Sequence, residues 1–179
     1  MNQGQSFNLA EQIPKLEEKL GIEHGFFNRL TEEEDWALII KMHALIESAV
    51  SNLLTEVFSQ AALKETFCML ELSNNRTGKM AFVNALNLLG KAERRYISSL
   101  SELRNRLVHD IKNVNFQLHE EVEVMDSQQF KQFVVKFNTL ATDVDDKILN
   151  LFRHDPIQAI WYGGMAVLGV IYLKHEGQI

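Results

Sequence analysis

Apolar side chains recur at three- and four-residue intervals through most of this chain, the spacing of one helical face. At about 100° per residue, Trp36, Ile39, Ile40, Met42, Ile46, Val50, Leu53, Leu54, Val57 and Phe58 share one broad face, with Lys41, Ser48, Asn52 and Thr55 opposite. This pattern predicts a long amphipathic helix over residues 32–58. The run Thr31-Glu32-Glu33-Glu34 in front of it has the form of a capping box. A second helix is expected over 61–72, ended by the turn formers Ser73-Asn74-Asn75-Arg76-Thr77-Gly78. A third is expected over 79–89, stopping at Gly90, and a fourth over 91–110. Residues 111–126 alternate only loosely and read as a loop with extended pieces. Asp126 or Ser127 then caps a fifth helix over 128–152, striped by Phe130, Phe133, Val134, Phe137, Leu140, Val144, Ile148 and Leu151. Short connections between five such helices predict an all-α, up-and-down bundle.

The two ends read differently. Residues 1–30 form a polar arm with a short helix around 13–20, ended by Gly21. After Pro156, residues 157–173 carry Gln158 as their one strongly polar side chain. At about 1.5 Å per residue they span about 25 Å, near the lower limit for crossing a bilayer. Trp161, Tyr162 and Tyr172 lie toward its ends and Arg153 and Lys174 flank it, as in interface anchoring. Gly163, Gly164 and Gly169 equally suit close packing inside a bundle or dimer. The expected organisation is therefore an arm (1–30), a helical bundle (31–155) and a hydrophobic C-terminal helix (156–179), buried or membrane-associated.

Composition narrows the class. At 179 residues, 46% hydrophobic and 23% charged, the chain is of ordinary globular type and can bury a core. The lone cysteine, Cys68, excludes an internal disulfide and disfavours a thiolate metal site; between Phe67 and Met69 it reads as a buried, inert thiol. No His/Cys/Asp/Glu grouping has metal-ligand form, so neither a metal nor another cofactor is expected. The N-terminus carries neither the basic start nor the apolar run of a secretory signal, which points to the cytoplasm. A net charge of −6 argues against a surface wholly devoted to nucleic acid. The distribution says more than the sum. Between Lys91 and Lys112 six basic residues face three acidic ones, a net +3, so the remainder carries −9. Arg94, Arg95, Arg106 and Lys112 of this island are candidate RNA contacts.

On the fourth helix, Ile97, Leu100, Leu103, Leu107 and Val108 form the apolar face, and Arg104 lies among them. A guanidinium on such a stripe requires an anionic partner or an escape to solvent. Asn105 and His109 share a neighbouring face, one turn apart. On the first long helix His43 and Glu47 fall within the apolar face as well. Glu47 is expected to meet Arg104 across the bundle, in a pair that serves the fold, a site or both.

Arg104-Asn105-Arg106-Leu107-Val108-His109 is an Arg-x4-His segment with a polar residue after the arginine. With the long helix bearing His43-Ala44-Leu45-Ile46-Glu47 and the Gly78-Lys79 turn, it resembles the HEPN superfamily of small helical bundles. Residues 77–109 also resemble the mannitol-repressor branch of helical regulators. The likeness covers about residues 32–152; the Tyr that many HEPN toxins carry two residues after the His is Ile111 here. The resemblance implies metal-independent RNA cleavage, as a toxin or defence effector, with Arg104, Asn105 and His109 as catalytic residues supported by Glu47 and His43. Histidine can serve as acid or base near neutrality, and a guanidinium suits the charge that develops on phosphoryl oxygens. Arg104 and His109 lie roughly 140° apart on one helix, so the family's composite site across a two-fold homodimer is implied. The regulator branch implies instead a non-catalytic fold acting through a protein partner, which for a toxin would be an antitoxin.

Overall fold

The computed structural model describes residues 9–141 and 143–175; the first eight residues of the arm and the last four of the C-terminal segment lie outside them. The described residues form ten α-helices: α1 (Leu9–Leu20), α2 (Phe26–Leu30), α3 (Asp35–Val57), α4 (Lys64–Met69), α5 (Lys79–Ala85), α6 (Lys91–Val108), α7 (Leu118–Glu123), α8 (Ser127–Phe137), α9 (Asp146–His154) and α10 (Pro156–His175). Two 3-10 turns (Ala61–Leu63 and Ile111–Asn115) complete them, and no strand occurs among the described residues. The fold is all-α, as the periodicity predicts, with more and shorter helices than the five expected.

Local chemistry accounts for the extra breaks. The single fifth helix is two, because the Asn138 carboxamide folds the chain back on itself. Its Oδ1 accepts from Leu140 N (3.0 Å) and Ala141 N (3.3 Å), and its Nδ2 donates to Ala141 O (3.0 Å), offering the backbone an alternative to the helix. The third helix ends at Ala85, with Asn87 at φ 51°, and Gly90 opens α6 instead of closing α5. Residues 111–126 hold a 3-10 turn and α7, with Phe116 and Gln117 extended between them; Leu118 and Val122, one turn apart, are both buried. The Thr31 capping box does not form. Thr31 Oγ1 donates back to Asn28 O (2.7 Å), Glu34 caps α3 without a side-chain bond, and the Asp35 carboxylate accepts from Leu118 N (2.7 Å). A capping box forms instead at α8, between Asp126 and Gln129.

The centre is α3 against α10, the most extensive helix pairing. From α3, Leu38, Ile39, Met42, Ile46, Val50, Leu53 and Leu54 are buried; from α10, Ala159, Ile160, Met165, Val167, Leu168 and Ile171. Two glycines let α10 approach its neighbours closely, Gly164 against α3 and Gly163 against α6 and α8. A Cβ on Gly164 would lie 2.5 Å from Met42 Sδ, and one on Gly163 would lie 2.7 Å from the Tyr96 ring and 3.0 Å from Phe137 O. The buried Tyr96 hydroxyl donates to Ile160 O (2.6 Å), and Trp161 Nε1 donates to Phe27 O (3.2 Å). Gly164→Ala is expected to cost about 1 kcal/mol, since the flexible Met42 thioether can swing aside. A thermal melt should show this as a loss of roughly 2–4 °C.

The expected divisions at 30/31 and 155/156 do not divide the core. Leu16, Phe27 and Leu30 belong to the same buried cluster as α3, α6 and α10. Gly21 ends α1 at φ 66°, with Gly21 N bonded to Glu18 O and Ile22 N to Glu17 O, a Schellman closure. The turn brings the buried Glu17 carboxylate to Gly25 N (2.8 Å) and Phe27 N (3.1 Å) at the start of α2. By length and composition α3 and α10 are each apolar enough to cross a membrane, and each buries more than half of its apolar window inside the bundle. Cys68, expected to be buried, is exposed on α4. The native protein should therefore take up one equivalent of a thiol reagent without denaturant.

Candidate functional site

Arg104 lies on the penultimate turn of α6, half-buried at the edge of the stripe formed by Ile97, Leu100, Leu103 and Leu107. Its Nη1 donates to Asn105 Oδ1 (2.9 Å), while its Nε is buried without a hydrogen-bond partner. Among the described residues no carboxylate pairs with this guanidinium. Asn105 has thus turned its acceptor to Arg104, and among the described residues its amide nitrogen makes no hydrogen bond. His109 is the C-cap of α6; its backbone N–H reaches Asn105 O (3.3 Å) and its side chain is exposed. Arg104 and Asn105 are hydrogen-bonded to each other, and among the described residues the His109 side chain bonds to neither.

The expected Glu47–Arg104 pair is not formed. Glu47 Oε1 accepts from Lys79 Nζ at 2.7 Å, and the same ammonium donates to Leu70 O at 2.7 Å. Lys79 is the first residue of α5 and its side chain is wholly buried. Helix α5 delivers a cation to Glu47 before α6 can, so Arg104 is left without a carboxylate. A wheel reading of α3 and α6 alone could not include this third helix.

His43 is buried between α3 and α6. The Ser101 hydroxyl spends its hydrogen on Ile97 O (2.9 Å), so it accepts from His43 Nε2–H (3.1 Å). The basic nitrogen is therefore Nδ1, which faces Glu47 Oε2 at 3.9 Å. Burial holds the His43 pKa below its ordinary value; Glu47 opposes this, the charges of Arg104 and Lys79 add to it, and Glu71 opposes it weakly. His43 therefore shares one electrostatic neighbourhood with Arg104. Ser101 and Lys79 are the site neighbours that sequence reasoning missed. A serine inside an apolar stripe was the available signal for the first; Lys79 entered only as part of the Gly78-Lys79 turn.

The four basic residues expected to contact RNA are mostly engaged within the chain. Arg94 donates to Asn84 Oδ1 (2.9 Å) and Gly90 O (3.3 Å), and Arg95 to Asn138 O (3.1 Å). Arg106 forms a two-pronged ion pair with Glu121 and lies over the Phe116 ring at 5.7 Å. Lys112 is exposed. Among the described residues no group of three or more His, Cys, Asp or Glu side chains is placed to hold a metal ion. No family model, curated protein or solved structure matches the chain.

Proposed function

We propose that this chain is a metal-independent endoribonuclease of HEPN type, a toxin or defence effector working as a cytoplasmic homodimer. One observation carries the reading: Arg104 is a half-buried guanidinium with no carboxylate partner and an unsatisfied Nε, steadied by Asn105. The terminal N–H donors that Asn105 leaves free can bind a planar or tetrahedral oxyanion, while the buried Nε stays out of its reach. In the reaction the RNA 2′-hydroxyl attacks the adjacent phosphorus, losing its proton to a base. The bond from phosphorus to the 5′-oxygen breaks, and that oxygen takes a proton from an acid. Arg104 and the Asn105 amide hold the phosphoryl oxygens, and the exposed His109 serves as acid or base. The angular separation of Arg104 and His109 is what a second copy of the chain would bridge. The buried apolar windows of α3 and α10 support keeping both helices in the protein's own core and out of lipid.

The test is to incubate the purified chain with end-labelled RNA in excess chelator. Products ending in a 2′,3′-cyclic phosphate and beginning with a 5′-hydroxyl are expected. A folded protein that leaves RNA intact, alone and after removal of any bound antitoxin, overturns the proposal. A second reading, a non-catalytic regulator resembling mannitol repressors, has its own support: Arg94, Arg95 and Arg106 are already committed inside the chain. It predicts an intact RNA substrate and a protein partner.

A further inference from the structure

The residue that shares Arg104's electrostatic environment is a histidine of another helix. His109 is exposed at the end of α6, whereas His43 on α3 is buried beside α6 through Ser101 and feels the Arg104 charge. The charged groups facing His43 come from every side of this packing. Glu47 lies on its own helix, Arg104 on α6, Lys79 on α5, and Glu71 on the segment between α4 and α5. Glu47 is already bonded to Lys79 at 2.7 Å, so the cation left uncompensated near His43 is Arg104.

We propose that an oxyanion held by Arg104 and Asn105 is coupled to protonation of His43, so that the site takes up a proton together with its ligand. This rests on the reading of Arg104 as an oxyanion contact and is independent of whether RNA is cut. Burial is the main reason the empty site disfavours a charged His43, and the Arg104 guanidinium adds to it, lying one turn along α6 from the Ser101 that bonds His43. An anion on Arg104 cancels that repulsion and adds attraction. The proton then enters at Nδ1, the nitrogen that faces Glu47, while Nε2–H keeps its bond to Ser101. His43 acts through Arg104 without touching the ligand, as a positioning residue. Because coupling is reciprocal, the anion binds more tightly as pH falls from the His43 midpoint of the loaded site to the lower midpoint of the empty one, which lies below the ordinary histidine value.

Sulfate is a suitable probe because its charge stays constant across this range. The imidazole resonances of the full-length chain are titrated by NMR in sulfate and in chloride at equal ionic strength. The His43 midpoint is expected to rise in sulfate, with about a tenfold gain in sulfate affinity for each unit of rise; His24, exposed between α1 and α2, is the internal control. In Arg104→Ala the two salts should give one midpoint. Calorimetry of sulfate binding to the unaltered chain in two buffers of different ionisation enthalpy supplies a reading that needs no variant, and proton uptake is expected. Equal midpoints in the two salts, a sulfate shift that survives Arg104→Ala, or binding without proton uptake each overturn the inference. Coupling without RNA cleavage would remove the nuclease reading alone; cleavage without coupling would remove this inference alone.

Discussion

Alanine at position 104 is expected to slow single-turnover RNA cleavage about 10²–10³-fold, the usual consequence of removing one preorganised donor to a developing phosphoryl charge. The structure makes this variant unusually easy to interpret. Among the described residues the Arg104 side chain bonds only to its neighbour Asn105, and its Nε already lacks a partner. Truncation therefore orphans no buried carboxylate, and the melting curve should stay close to that of the parent. His109→Ala should lower the rate about 10²–10⁴-fold, the range of general acid–base contributions. Its exposed side chain should leave stability within about 0.5 kcal/mol. Quantified gels and melts on the same preparations check both. Arg104→Lys distinguishes a point charge from a fork: it should recover only part of the loss, because an ammonium cannot bind two oxygens in one plane. If Arg104→Ala unfolds the chain and no RNA is cut by the parent, Arg104 serves the fold and the regulator reading stands.

The helical class was legible because no proline interrupts residues 15–155 and because α3 and α6 each repeat one apolar face over several turns. What escaped was local. Asn138 breaks a stripe that continues through Leu140 and Val144, since side-chain bonds to the backbone leave apolar spacing unchanged. Leu118 and Val122 are one helical turn apart, yet in a polar stretch of short pieces they passed for loose alternation. Hydropathy alone could not assign α10, because the glycines that let it approach Met42 and Tyr96 are the same residues that let helices pack in lipid. At the site, Arg104 and Glu47 are both half-buried, at the edges of the stripes on which the wheel placed them. A wheel gives direction about one axis, however, and says nothing of what a third helix brings. Lys79 is the missing term: its stem crosses the interior from the first position of α5, where a lysine would ordinarily point to solvent.

Lys79→Ala should accordingly be the most destabilising single change near the site, at about 2–3 kcal/mol. Breaking a buried ion pair from one side costs more than the pair contributes, because the remaining charge keeps its desolvation. Here the cost falls toward the lower end, since the Glu47 side chain is 33% exposed and can recover some hydration. Leu70 O loses its donor as well, and the vacated stem leaves a cavity. A melt should fall by roughly 5–10 °C. Lys79→Met fills the cavity but still strands Glu47 and Leu70 O, so it should fall between the parent and Lys79→Ala. Combining it with Glu47→Leu should restore part of the loss, as apolar replacements of whole buried pairs do. The same variants bear on chemistry. Removing the Lys79 charge takes away one of the two cations that oppose a charged His43 and frees Glu47 to face Nδ1. The His43 midpoint in Lys79→Met should therefore rise even without an anion. If it stays fixed while the protein remains folded, His43 is insulated from its neighbours and Arg104 has lost its proton-holding companion.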